Sequence, residues 1–292
     1  MEPKLEFAIP VAMCDPKEYC ALAVAAESNG FSSIALSDHL IYPGKFSTPY
    51  PYTSDGKPRF RKHDPWPDPW IAISAMAAVT KTLRFYTNVY VLPARNPVHV
   101  AKFLSTLAVM SGNRVSLGAG MGWMPEEFAA AEQAFKQRGK RADEMLDIIR
   151  KLWTGDEITH QGEFYQLDAM SMSPVADRPL PVFIGGFSEA AMKRAAKHDG
   201  WISDLHSMAE LEQLIGKMNG YRAETENTKP FQILSFATYE ASDVAGFQKM
   251  RDMGVTTVCT MPWFFYGGSP ASSLQEKMDA IKQFNDDFIT KL

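Results

Sequence analysis

The chain has 292 residues, 46% of them hydrophobic, with a formal net charge of −4. It is long enough for one large domain or two small ones, and it carries no basic excess of the kind that nucleic acid or an anionic membrane selects. No apolar run approaches the roughly 20 residues of a spanning helix, and the opening MEPKLEFAIPVAM lacks the basic and then apolar segments of an export signal. Cys14, Cys20 and Cys259 have no metal-ligand spacing. Cys20 falls in a helical pattern and Cys259 in a strand pattern, which reads as small core residues in a reducing, cytoplasmic compartment.

In chain order, Leu5 to Met13 reads as a first strand. Pro16 opens a helix to Glu27 that Gly30 ends. Ser33 to Leu36 is a second strand, finishing at Ser37-Asp38-His39. Leu40 to Pro67 follows, rich in proline and tyrosine, and a loop of that length inside a compact chain is functional or mobile. Asp68 to Thr80 has an apolar helical face. Arg84 to Leu92 has the Tyr, Val and Phe content of a third strand, broken by Pro93 and Pro97. Val98 to Met110 keeps helical spacing and stops at Ser111-Gly112-Asn113. Val115 to Leu117 is a fourth strand running into Gly118, Gly120, Gly122 and Trp123.

Pro125-Glu126-Glu127 starts another helix, with acids at its positive end, and Arg138 to Trp153 is strongly amphipathic. Glu157 to Leu167 turns at Gln161-Gly162 and reads as an inserted hairpin. Strands at Leu180–Ile184, Gly200–Ser203, Phe231–Tyr239 and Val255–Met261 then alternate with helices at Ser188–Lys197, Glu210–Met218, Ser242–Met253 and Ser273–Ile289. Eight strands alternating with helices, with no composition break, fit a single (β/α)8 TIM barrel over residues 1–292 with insertions. A doubly wound sheet is the alternative pattern.

Reactive groups of such a barrel belong at the C-terminal strand ends. Asp38-His39 offers a group that titrates near neutral pH, or simply a turn. Asn88 reads as an ordinary strand residue at a bulge. In Gly118 to Trp123, alternate glycines allow close backbone approach and Trp123 offers a flat apolar face; a tight turn and a core plug are the simpler roles. The spacing is not a dinucleotide fingerprint. Gly185-Gly186-Phe187-Ser188, between a strand and a helix start, reads as a phosphate site or as a turn with Ser188 as N-cap. His63 and His99 have no metal partner at a useful spacing, and His160, His198 and His206 read as surface or cap residues. Glu126 and Glu127 read as helix-start charges. No nucleophile elbow, Walker loop or HExxH occurs.

Taken together, Ser37-Asp38-His39, LRFYTNVYVLPARNPVHVAK, SGNRVSLGAGMGWMPEEF, RGKRADEMLDIIRKLWTG and PVFIGGFSEAAMKRAAKHDGW closely resemble the bacterial luciferase-like monooxygenase family. Within it they are most similar to the branch of oxidoreductases dependent on the deazaflavin coenzyme F420. Order and spacing are kept from about residue 31 to 203. The resemblance implies a TIM barrel with the hairpin in an insertion, a flavin-type cofactor across the C-terminal mouth, and a homodimer. It implies that Asp38 contacts the cofactor, that His39 is the active-site histidine, and that Asn88-Val89 form a bulge, often a non-proline cis peptide, behind the tricyclic ring. Gly185, Gly186, Phe187 and Ser188 match the cofactor phosphate site.

The implied reaction is hydride transfer at the deazaflavin C5 to or from a small organic substrate. His39 would move the accompanying proton or steady the ring's charge. Trp123 stands where the sugar-phosphate dehydrogenases of this branch carry a glutamate, which argues against that reaction and leaves a second acid/base residue unassigned. Trp66, Trp70, Tyr90 and Trp263 are candidates to wall an apolar substrate cavity, with core packing as the simpler role. The competing readings are an FMN-dependent monooxygenase on the same cradle, a non-catalytic flavin-binding member of the family, and a metal-dependent lyase, for which no ligand cluster is visible.

Overall fold

The computed structural model of the protein describes residues 4–225 and 227–292. Its strands are β1 (Glu6–Pro10), β2 (Ser33–Leu36), β3 (Arg84–Thr87), β4 (Tyr90–Val91), β5 (Val115–Gly120), β6 (Ile158–Gln161), β7 (Gln166–Met170), β8 (Val182–Gly185), β9 (Gly200–Ile202), β10 (Gln232–Phe236) and β11 (Thr257–Cys259). β6 and β7 pair antiparallel as the inserted hairpin. The others run in the order β3-β2-β1-β11-β10-β9-β8-β5, and β3 also pairs with β5, which closes the ring. Every ladder in the ring is parallel. β3 and β4 are two pieces of one stave, so the architecture is the (β/α)8 barrel that the alternation implies, and the doubly wound alternative falls away.

The helices between strands are α1 (Tyr19–Ser28), α2 (Pro69–Val79), α3 (Pro97–Ser111), α4 (Pro125–Ala130), α5 (Arg138–Leu152), α6 (Glu189–Ala195), α7 (Met208–Ala223), α8 (Val244–Asp252) and α9 (Leu274–Asp287). Their starts are chemically marked. Asp68 and Asn96 accept main-chain N–H groups ahead of a first-turn proline, while Ser207 and Ser273 form reciprocal capping boxes with Glu210 and Glu276; each device satisfies amides that a helix cannot bond internally. One apolar shell, including Leu22, Ile73, Leu104, Ile149 and Met192, lies between barrel and helices. A second, small cluster fills the barrel itself: Ala8, Ala35, Tyr86, Phe183, Ile202, Leu234 and Cys259, one from each of seven strands.

The third stave does not run unbroken from Arg84 to Leu92 as its composition predicts. It leaves the sheet after Thr87, the Asn88–Val89 peptide bond is cis, and Leu92 already begins a 3-10 turn. The glycines of β5 explain how the neighbours accept this. A Cβ on Gly118 would lie 1.8 Å from the Thr87 carbonyl oxygen, one on Gly120 would lie 2.2 Å from Val89 Cγ2, and one on Gly185 would lie 2.5 Å from Val89 Cγ1. The glycine run is therefore filled by the bulge of its neighbour, not left bare for a ligand. The Thr87 side chain seals the joint, its hydroxyl donating to the Gly118 carbonyl at 2.8 Å and accepting from the Gly118 N–H at 3.0 Å.

On the outside, Glu27 ties α1 to the turn entering β3. Its Oε1 accepts the N–H groups of Lys81, Thr82 and Leu83 at 2.8, 2.6 and 2.8 Å and the Thr82 hydroxyl at 3.0 Å. Partial burial favours the neutral acid, but these donors override it and hold the carboxyl down at about 2. A depressed carboxylate stabilises the fold above its unfolded value and loses that contribution as pH falls through the folded one. Glu27→Gln is expected to cost about 1–3 kcal/mol at neutral pH. The gap from wild type in urea unfolding should shrink as pH falls from about 4.5 toward 2; a gap independent of pH would refute the account. Gly118→Ala, which forces a methyl onto backbone, should lower stability by about 1–3 kcal/mol or more, read as a drop in the urea midpoint.

Candidate active site

The C-terminal end of β2 delivers Ser37, Asp38 and His39 beside the bulge. The Ser37 hydroxyl donates to the Asn88 carbonyl at 2.8 Å, and the Asn88 N–H donates to the Leu36 carbonyl at 2.6 Å. The Asn88 side-chain amide lies 4.0 Å from the Cys259 sulfur, and the Tyr86 hydroxyl abuts the same thiol. Burial pushes the Cys259 thiol up to about 12, so it is an inert floor under the bulge and not a nucleophile.

Asp38 is 5% exposed. One oxygen accepts the Val91 N–H at 3.0 Å, and both lie against Arg95 Nη2, at 2.9 and 3.1 Å. Burial drives its carboxyl up to about 6, against the opposing pull of Arg95 and the Val91 N–H. Its carboxylate thus braces β4 and the far side of the bulge. Arg95 in turn lies over the Tyr90 ring, 5.0 Å from its centroid.

His39, with 12% of its side chain exposed, has Nδ1 3.4 Å from Glu127 Oε1, and the Glu127 side chain is fully buried. The Glu127 Oε1 also accepts the Leu40 N–H at 2.6 Å. Its neighbour Glu126 accepts the Ser47 N–H at 2.7 Å. The two acids that read as helix-start charges of α4 therefore hold the beginning of the long loop 40–67.

That loop crosses the mouth as an aromatic roof. The Phe60 ring is 4.5 Å from His39, and Trp66 meets the imidazole edge-on at 4.9 Å. Phe46 stacks on Trp123 at 5.6 Å and Tyr50 meets it edge-on at 5.1 Å. The Thr48 hydroxyl donates to the Trp123 carbonyl at 3.2 Å. On the opposite rim Arg59 pairs with Asp204 at 2.8 Å, and Tyr52 packs on Phe187 at 5.6 Å.

Gly185 ends β8 and Gly186, at φ +110°, turns the chain into α6. The Gly186 N–H donates to the Ile202 carbonyl at 3.2 Å, and Trp201 Nε1 donates to the Gly186 carbonyl at 2.8 Å. The Ser188 hydroxyl caps α6 by accepting the Ala191 N–H at 3.3 Å. Next to this turn, Ser203 Oγ and His206 Nε2 are buried without a hydrogen-bond partner. His206 packs edge-on against Phe187 at 5.4 Å, and burial lowers its imidazole below the usual value.

The fold thus gathers Asp38, His39, Asn88, Val89, Trp66 and Trp123 on one side of the mouth, with Gly185 to Ser188 across it. Three expected wall residues are elsewhere. Trp70, Tyr90 and Trp263 are 4%, 1% and 1% exposed and belong to the shell between barrel and helices. Tyr90 packs on Trp70 at 5.0 Å, because the bulge reverses which side of the stave it presents. Trp263 lies in the 3-10 turn after β11, against Gly268. His160 is not a surface residue; its Nε2 meets Glu144 at 3.0 Å under the hairpin. Sequence reasoning missed Glu127, Phe60, Asp204 and His206, whose roles depend on loop packing that spacing does not encode. Among the described residues, no group of three or more His, Cys, Asp or Glu is placed to hold a metal ion.

The chain is 36% identical over 291 residues to the uncharacterized protein Rv0940c of Mycobacterium tuberculosis, covering 99% of this chain and 100% of that one. It is 32% identical over 218 residues to the F420-dependent glucose-6-phosphate dehydrogenase of Gordonia bronchialis, covering 73% of this chain and 60% of that protein. The solved structure of an F420-dependent secondary alcohol dehydrogenase in complex with an F420-acetone adduct superposes with a TM-score of 0.77 at 16% identity, covering 99% and 98% of the two chains; at that identity the likeness concerns the fold. The family model for luciferase-like monooxygenases matches residues 7–243. The chain belongs to the luciferase-like monooxygenase family.

Proposed function

We propose that the protein is an F420-dependent oxidoreductase acting on a small, largely apolar organic substrate. The observation that carries this reading is the bulge at Asn88-Val89, a flat backbone platform seated in the glycine notch, with His39 on one side and the Gly185–Ser188 turn on the other. The residues present suit a planar ring with an anionic tail. Val89 offers an apolar face. The Ala191 N–H of α6 is taken by Ser188, but the amides ahead of it have no intrahelical partners, and the unpartnered Ser203 and His206 atoms lie beside them. When bound, a deazaflavin supplies two-electron hydride chemistry. FMN would use the same cradle; the relative named for F420 favours the deazaflavin.

The chain's own residues have separable tasks in this reading. Asp38 and Arg95 fix the platform by holding Val91. The roof of Phe60, Trp66, Tyr50 and Trp123 excludes water and presents aromatic faces to the substrate. His39, under that roof, moves the proton that accompanies hydride transfer. On the loop that builds the roof, Arg59 is engaged by Asp204 and by the Tyr52 carbonyl, which disfavours a sugar phosphate at that point. All three cysteines are free, which fits a reducing, cytoplasmic compartment, and among the described residues no helix is long and apolar enough to cross a membrane.

The partner in this reading is a second copy of the chain. The neighbouring helices α2 and α3 expose Ile71 and Met110, each 75% accessible, with Val79 and Phe103 alongside. Exposed apolar side chains on two adjoining helices are what supports an association surface here. Ile71→Asp combined with Met110→Asp is expected to convert a dimer to a monomer in light scattering after size exclusion; a wild-type monomer would refute the assignment.

Titration of the apo-protein with oxidised F420 and with FMN tests the cofactor. Saturable F420 binding is expected, and FMN binding without F420 binding would overturn the reading. With F420 bound, a panel of apolar secondary alcohols and carbonyl compounds is screened by the visible absorbance of the cofactor. His39→Ala should lower turnover about 10²–10⁴-fold while leaving the titration unchanged.

A further inference from the structure

Glu127 is the most deeply buried acid beside the mouth, and its hydrogen bonds do not account for it. Oε1 takes the Leu40 N–H; Oε2 is buried with no hydrogen-bond partner. A buried carboxylate with an idle oxygen is costly, and an apolar side chain would fill the same space without that cost. Arg95 does not relieve it, because its ion pair is with Asp38, through Nη2. Among the described residues, the one ionisable group within ion-pair distance of Glu127 is His39, through Nδ1 at 3.4 Å. That nitrogen is buried and otherwise unpartnered, and the oxygen it faces, Oε1, carries one amide donor and has a lone pair left for a second.

We propose that Glu127 is the positioning residue of the site: its carboxylate holds the proton of His39 on Nδ1, so that Nε2 is offered to the substrate as a hydrogen-bond acceptor. The hydrogen bond made by one ring nitrogen decides which nitrogen carries the proton. In water the neutral imidazole prefers its proton on Nε2, so the opposite tautomer needs an acceptor beside Nδ1, and Glu127 is that acceptor. The consequence concerns substrate class. An accepting Nε2 matches a substrate that presents a hydroxyl, and it leaves a substrate that presents only acceptor oxygens without a donor from this ring. The inference rests on the reading of His39 as the proton-handling group.

The test reads the tautomer directly in cofactor-free protein. Long-range proton–nitrogen correlation spectra of ring-labelled histidine are recorded at alkaline pH, and the His39 signals are assigned by their absence in His39→Gln. In wild type the expected pattern is a protonated, pyrrole-like Nδ1 and an unprotonated, pyridine-like Nε2. In Glu127→Leu the pattern should invert. A pyrrole-like Nε2 in wild type overturns the proposal, and that spectrum decides the matter even if the variant does not fold. An unchanged tautomer in a folded Glu127→Leu overturns it as well, since another group would then hold the proton. No cofactor enters this experiment, so its failure leaves the F420 titration standing, and the reverse also holds.

Discussion

The site depends on one close fit. β5 and β8 give up side chains at Gly118, Gly120 and Gly185, and the third stave turns out of the sheet into the room they leave. The fit places a main-chain platform at the mouth, where a regular strand would present alternating side chains. It also moves Val91 to where Asp38 can take its N–H and Asn88 to where Ser37 can take its carbonyl. A barrel interior is close-packed, so such a platform exists only where adjacent staves lose volume to match.

Above the platform, the long loop after β2 supplies nearly all the apolar roof. It is fastened at three places of different chemistry: main-chain amides on the acids of α4, a hydroxyl on the Trp123 carbonyl, and the Arg59–Asp204 ion pair on the far rim. The last is partly solvated and worth little by itself, while the amide contact at Glu127 is part-buried on a fully buried side chain. The loop is thus held by hydrogen bonds beside His39 and by an ion pair and an aromatic contact beside the Gly185–Ser188 turn.

The fold was legible because periodicity reports burial, and burial in an α/β barrel is regular. Every barrel stave was found from apolar runs and turn residues, and only the third was read as continuous. Its Tyr and Val content suits a strand, whereas its break is set by volume missing in β5, a non-local fact. The glycine run was correctly singled out for allowing close approach, but the approaching group is Thr87 and Val89 of the same chain. Tyr90 shows the same limit, since an aromatic at a strand end points to mouth or core according to a register that one bulge reverses, and Trp263 is carried out of register by the 3-10 turn that follows β11. Glu126 and Glu127 satisfied a familiar helix-start pattern, and that adequate local explanation hid contacts made some 80 residues away in the chain.

The way α4 grips the loop has an evolutionary consequence. Glu126 and Glu127 seize the peptide N–H of Ser47 and Leu40, an atom that every residue but proline possesses, and ask nothing of the side chains there. Lineages can therefore rewrite the letters of this segment freely, trading one lining for another, while the ribbon keeps its berth. A chain built in this manner diversifies what it accepts without rebuilding the scaffold that receives it.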